Sequence, residues 1–114
     1  MPYAPPLTDD EIAERLRGLD GWARQGDTIR RTVKLKGFRG AIAFVNAIAD
    51  AAEAANHHPD IAIHDYNRVT LTLTTHAAKG LTFRDFELAA TIDRLVPEQA
   101  SAQPSGGGGS VASG

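Results

Sequence analysis

Between Val69 and Thr74 the chain alternates without a break, with Val69, Leu71 and Leu73 on one side and Thr70, Thr72 and Thr74 on the other. That period-two pattern predicts a strand covered on one face only. Ile61 and Ile63 suggest a shorter strand just before it. Upstream, the run from Thr28 to Lys36 puts Ile29, Val33 and Leu35 on one face, interrupted by Arg31, and Gly26-Asp27 separates it from Trp22-Ala23-Arg24-Gln25 as a hairpin turn would. The period then changes. Phe38, Ile42, Val45, Ala49, Ala52 and Ala55 recur at steps of three and four, so the alanine-rich stretch from Arg39 to Asn56 reads as the principal helix. Pro59 cannot continue it, which leaves His57 and His58 at its C-terminal end. Thr8-Asp9-Asp10-Glu11 is a capping box opening a short helix that reaches about Arg17, with Ile12 and Leu16 on its apolar stripe. Thr82-Phe83-Arg84-Asp85 opens the last helix, which runs to about Val96 and stops before Pro97.

The order helix, strand, strand, helix, strand, strand, helix predicts an α+β fold, a four-stranded, mainly antiparallel sheet with three helices on one face. In the last helix Phe86, Leu88, Ala89, Ala90, Ile92, Leu95 and Val96 spread around more than one face. One sheet cannot cover all of that, so self-association as a homodimer or homotetramer is expected, through sheet edges or helix faces. A chain of 114 residues supports one modest core, placed here in residues 1–98. Residues 99–114 contain Ser101-Ala102-Gln103-Pro104-Ser105 and four consecutive glycines. Such a segment buries too little apolar area to offset its ordering entropy and reads as a disordered tail.

Composition narrows the function classes. A net charge of −2 and a pI near 6.0, with no dense Lys/Arg block, give no electrostatic footprint for nucleic acid or an anionic membrane. The absence of cysteine excludes disulfides, a thiolate nucleophile and a thiolate metal site. Met1-Pro2-Tyr3-Ala4-Pro5-Pro6 has neither a basic region nor an apolar run, and no stretch has the length of a membrane span, so a cytoplasmic protein is expected.

The histidines change the picture most. Two of the four are the adjacent pair His57-His58, and His76 follows the alternating strand. Neighbouring side chains at a helix end diverge, which suits contact with two sides of a small molecule better than chelation of one metal ion. Imidazoles at the ends of two elements can converge on one cleft, and imidazole readily gives and takes protons near neutral pH. A histidine at a helix C-terminus also serves as a plain cap against the dipole. Glu53 lies one helical turn before His57 and is placed to orient or charge that ring, within hydrogen-bonding reach of His57 or of its neighbour. Thr74 and Thr75 offer hydroxyls and amides beside His76. Asp85 serves either a bound ligand or, as the third residue after Thr82, the helix start alone. Trp22 is either a stacking wall or a core residue, and His64 reads as an exposed strand histidine without a role. A metal site from His57, His64, His76 and Asp65 is not expected, because no pair has a helix-face ligand spacing.

Taken together, the run Glu53, His57-His58-Pro59, Tyr66-Asn67-Arg68-Val69, Thr75-His76, Gly80-Leu81 and Arg84-Asp85 resembles the pterin-4a-carbinolamine dehydratases, also known as dimerisation cofactors of a homeodomain transcription factor. The likeness extends from Leu7 to Leu95. It implies dehydration of a 4a-hydroxytetrahydropterin to the quinonoid dihydropterin, a step in tetrahydrobiopterin recycling, without metal or organic cofactor. It carries catalysis onto His57, His58 and His76 supported by Glu53, with His57 and His76 in proton transfer and His58 mainly in binding. Asn56, Thr74, Thr75, Ala77, Asp85 and Trp22 become candidate pterin-binding positions. Asn56 and Ala77 depart from the family pattern, where some relatives carry acidic or polar residues. Six residues, Asp60 through Asp65, separate Pro59 from Tyr66 where many members have five. One added residue would flip every later side chain, so a bulge or turn is expected near His64-Asp65. The resemblance also implies an alternative, a non-enzymatic relative that acts as an assembly factor, for example for Rubisco, or as a coactivator that stabilises a partner's dimer.

Overall fold

The computed structural model describes residues 4–98 and 100–103. Helix α1 (Asp9–Leu16) opens on the expected capping box, in which the Thr8 hydroxyl accepts from the Glu11 amide at 3.2 Å and the Glu11 carboxylate accepts from the Thr8 amide at 2.8 Å. Strands β1 (Ala23–Gln25) and β2 (Thr28–Lys34) form a hairpin in which Gly26 takes φ +57, a left-handed conformation open to glycine without steric cost. Helix α2 (Gly37–Ala55), strands β3 (Asp60–His64) and β4 (Arg68–Leu73), a 3₁₀ turn (His76–Ala78) and helix α3 (Phe83–Leu95) follow. Among the described residues no helix is long and apolar enough to cross a membrane.

The sheet runs β1-β2-β4-β3, with every neighbouring pair antiparallel. Its register sets Ile29 opposite Leu73 and Val33 opposite Val69, with Ile63 of β3 flanking Val69 from the other side, so these side chains share one face. On that face they meet Ile12 of α1, Ala41, Phe44 and Ile48 of α2, and Leu88, Ala89 and Ile92 of α3 in one core. The other face carries the threonines, and the Thr32 and Thr70 hydroxyls bond across the strands at 2.8 Å. The turn expected near His64-Asp65 is the β3–β4 turn, where Asp65 and Tyr66 both take left-handed backbone (φ 50 and 56). Val69, Leu71 and Leu73 keep the core.

Three features differ from expectation. Ser101–Gln103, expected within a disordered tail, form a strand β5 that pairs antiparallel with Thr32–Lys34. β1 covers only Thr28–Arg30 of the same strand, and the remaining backbone groups of that edge are open to a further strand. Residues 104–114 of the expected tail lie outside the described residues. Trp22 is not a surface wall but a core side chain, 6% exposed, and its indole N–H donates to Asp93 at 2.8 Å. The same carboxylate pairs with the Arg31 guanidinium, which explains the cation in the middle of the apolar face of β2. Gly21 lets the chain pass this pair closely, since a Cβ there would lie 3.0 Å from Arg31 Nε. Finally, α3 spends its apolar surplus inside the monomer, with Phe86, Leu88, Ala89 and Ile92 all buried. Among the described residues the exposed large apolar side chains are Phe38 and Ile42 on α2, Ile61, Tyr66 and, at the first position of α3, Phe83.

Candidate active site

The end of α2 is built to turn the two histidines apart. Asn56 takes left-handed backbone (φ 52), its amide bonds to the Glu53 carbonyl at 3.2 Å, and the His57 amide reaches back to the Ala52 carbonyl at 3.1 Å. This is the paired closure of a Schellman cap, with Asn in place of the usual glycine. Arg84 fastens the same end from α3, donating from Nη2 to the carbonyls of Ala55 at 3.0 Å and Asn56 at 3.1 Å. Asn56, expected as a pterin contact, thus serves the helix terminus with its backbone.

Past that cap the two rings part. His57 enters the protein with its side chain 11% exposed, and its Nε2 lies 2.6 Å from Oδ1 of Asp85, which is fully buried. His58 stays on the outside, where Nε2 lies 2.7 Å from the Glu53 carboxylate. Of the two contacts expected of Glu53, to His57 or to its neighbour, the structure makes the second, because the left-handed residue at Asn56 breaks the helical spacing that would have stacked His57 over Glu53. With both side chains more than half exposed, the Glu53–His58 pair is screened by water and adds little to stability.

Asp85 serves the helix start and, in addition, the His57 ring. Its Oδ2 accepts from the Thr82 amide at 2.9 Å, completing the α3 capping box, and from the Thr75 hydroxyl at 2.8 Å, while its Oδ1 faces His57. The Thr75 hydroxyl also lies 2.9 Å from that of Thr82, and Thr82 accepts from the Arg84 amide at 3.2 Å. Thr75 is thus buried and committed inward rather than offered to a ligand. Thr74 is committed as well, donating to the Asp27 carbonyl at 2.6 Å. His76 and Ala77 begin the 3₁₀ turn and are exposed. Two hydrogen bonds through Asp85 therefore connect the His57 ring to the residue just before His76. His57, Arg84, Glu87 and Thr91 line a groove of about 140 Å³ between α2 and α3. His64 is exposed and bonds Thr70 Oγ1 at 2.8 Å. Among the described residues no group of three His, Cys, Asp or Glu side chains is placed to hold a metal ion.

Thr82 and Arg84 are the structural members of this site to which the sequence assigned no site role. Arg84 acts on carbonyls 28 and 29 residues away, and no local pattern marks such a partner, while Thr82 reaches Thr75 across seven residues through a turn.

The model of one protein family, pterin 4 alpha carbinolamine dehydratase, matches residues 5–95. The chain belongs to that family. It is 56% identical over 93 residues to a protein of Roseiflexus sp. (strain RS-1) that carries the name pterin-4-alpha-carbinolamine dehydratase, a match spanning 82% of this chain and 99% of that relative. A relative of the same name from Nocardia farcinica (strain IFM 10152) is 53% identical over 89 residues, or 78% of this chain and 93% of its own. Among solved structures, a transcriptional coactivator/pterin dehydratase from Brucella melitensis superposes with a TM-score of 0.76 at 37% identity, covering 81% of this chain and 99% of that one. A pterin dehydratase-like protein described as a RuBisCO assembly factor in the α-carboxysome shares the fold with a TM-score of 0.57 at 23% identity, covering 67% of this chain and 89% of its own. As a pterin dehydratase family member, the chain carries the three histidines and Glu53 on which its resemblance rested.

Proposed function

We propose that this chain dehydrates a 4a-hydroxytetrahydropterin to the quinonoid dihydropterin by histidine general acid–base catalysis, as a step in tetrahydropterin recycling. The observation that carries the reading is the contact between His57, just past the end of α2, and a fully buried carboxylate, His57 Nε2 to Asp85 Oδ1 at 2.6 Å. A histidine held this way keeps one ring nitrogen for the carboxylate and one for a ligand. The reaction is redox-neutral: the bond from C4a to oxygen breaks, the hydroxyl departs as water after protonation, and a ring nitrogen gives up a proton as the new double bond forms. Two positioned proton carriers suffice, and such groups supply roughly 10² to 10⁴-fold of rate. His57 and His76 take these roles. His58, exposed and braced by Glu53, binds the pterin from the outer side.

Self-association belongs to the same reading. Phe38 and Ile42, 54% and 38% exposed, lie one turn apart on α2, and among the described residues β3 leaves one of its edges unpaired at the end of the sheet. These surfaces support a homodimer or homotetramer. The deciding experiment measures release of quinonoid dihydropterin from 4a-hydroxytetrahydropterin by the purified oligomer. A rate well above the uncatalysed reaction is expected. A correctly assembled protein with no such rate would end the dehydratase reading and leave an assembly or dimer-stabilising role on the same exposed surfaces.

A further inference from the structure

Hydrogen-bond directions inside the buried network assign the proton on His57. Asp85 Oδ2 lies 2.9 Å from the Thr82 amide, which can only donate, and 2.8 Å from the Thr75 hydroxyl. Thr75 has a single hydroxyl proton. With that proton on Asp85, the 2.9 Å contact between the two threonine hydroxyls is filled by the Thr82 proton pointing at Thr75. Thr82 Oγ1 in turn accepts from the Arg84 amide at 3.2 Å. Every donor then has one acceptor, and the sequence of donations runs from Arg84 to Thr82, to Thr75, to Asp85. The carboxylate presents only acceptor atoms, so the hydrogen in its 2.6 Å contact with His57 belongs to the ring Nε2.

We propose that Thr75 is a positioning residue which, through Asp85, fixes His57 in the Nε2–H form and makes Nδ1 the atom that exchanges a proton with the ligand. The Nε2 proton stays on the ring throughout. When Nδ1 takes a proton the imidazolium remains paired with the carboxylate, and when Nδ1 gives it up the neutral ring returns to the same form. Thr75 also directly precedes His76, so one buried hydroxyl sets the orientation of His57 and anchors the start of the turn that presents His76. The other arrangement, with Thr75 donating to Thr82, leaves Asp85 to supply the hydrogen for Thr75 from the very oxygen that accepts the Thr82 amide. A protonated carboxyl oxygen is a poor acceptor, and the arrangement loses one bond.

The inference rests on the dehydratase reading only for its catalytic consequence, and its test separates the two. Long-range proton–nitrogen correlation spectra of the ligand-free protein report the tautomer of the neutral His57 ring without any pterin. Wild type is expected to show Nε2–H with Nδ1 unprotonated. Thr75→Val, which keeps the shape and deletes the hydroxyl, leaves the buried carboxylate one donor short, so that Oδ1 can carry a proton toward Nε2 in place of accepting one; it is expected to shift the ring toward a mixture of tautomers and to lower kcat by roughly ten- to thirtyfold with KM changed less than about threefold. Thr75→Ser is expected to restore both. If the Val variant does not fold, Thr75→Cys, a weaker donor in the same place, is expected to give an intermediate mixture. A wild-type ring protonated on Nδ1 overturns the inference, as does a Thr75→Val or Thr75→Cys protein with an unaltered tautomer. A wild-type protein with the Nε2–H ring and no dehydratase rate leaves the inference standing and removes the reading beneath it.

Discussion

Replacing Asp85 separates two jobs done by one carboxylate. Asp85→Ala would strand three buried or nearly buried donors, the Thr82 amide, the Thr75 hydroxyl and the His57 N–H, which now bond it at 2.9, 2.8 and 2.6 Å. At about 1–3 kcal/mol for each unsatisfied group, with some relief from water entering beside His57, the loss is about 3–6 kcal/mol, a large part of a typical total of about 5–15 kcal/mol. Asp85→Asn behaves differently. The amide oxygen can take the two bonds from Thr82 and Thr75, so α3 keeps its cap and stability stays within about 2 kcal/mol of wild type. The amide NH₂ then faces His57 Nε2, which must become an acceptor and pass its proton to Nδ1. The variant is folded but carries the wrong ring form, and its dehydration rate should fall roughly 10²-fold. Urea unfolding at fixed protein concentration checks the first figure: with m of about 1–1.5 kcal/mol/M, a loss near 3 kcal/mol moves the midpoint by roughly 2–3 M. Turnover of 4a-hydroxytetrahydropterin checks the second. An Asp85→Ala midpoint equal to wild type, or an Asp85→Asn enzyme working within threefold of it, would refute the reasoning.

His57→Ala and His76→Ala should each lower kcat at least about tenfold, and His58→Ala should act mainly on KM; a wild-type kcat in steady-state assays of all three would show that none transfers a proton. His64→Ala, whose ring only meets Thr70 on the exposed sheet face, should leave turnover unchanged in the same assay. Arg31→Ala leaves the Asp93 carboxylate with the Trp22 indole alone and should cost about 3 kcal/mol in urea unfolding, since a charge in a largely buried pair loses its partner. Ile42→Glu places a charge on the exposed apolar row of α2 and should shift the oligomer toward monomer in sedimentation velocity; an unchanged species would move the interface elsewhere.

The parts of the fold that were legible in the sequence are those decided by near neighbours. Thr8 and Glu11 form their capping box, and Thr82 and Asp85 theirs, because both partners lie within one turn. The Val69–Thr74 alternation survives because each side chain has only two faces to choose from. What could not be read depends on chain reversal. Glu53 was the carboxylate visible near His57, yet the left-handed backbone at Asn56 hands it to His58 and delivers His57 to Asp85, 28 residues on. Arg31 looked like an interruption because its counter-charge, Asp93, lies 62 residues away. β5 joins the sheet through its backbone register with Thr32–Lys34, and backbone hydrogen bonding leaves no signature in Ser-Ala-Gln. The apolar excess of α3 was visible, but not that α2 and the sheet would absorb it.

The chain has one tryptophan, and its position turns it into an optical gauge. Trp22 sits just before β1 while the carboxylate on its indole belongs to the last helix, 71 residues later. Its emission therefore responds to whether the two ends of the domain are clasped, rather than to events around the histidines. A site variant that loses turnover while the emission maximum stays where wild type has it has lost chemistry alone. One whose emission moves to the red has let water reach the indole, and its kinetics describe a loosened protein. The same cuvette thus sorts the two kinds of failure before any pterin is added.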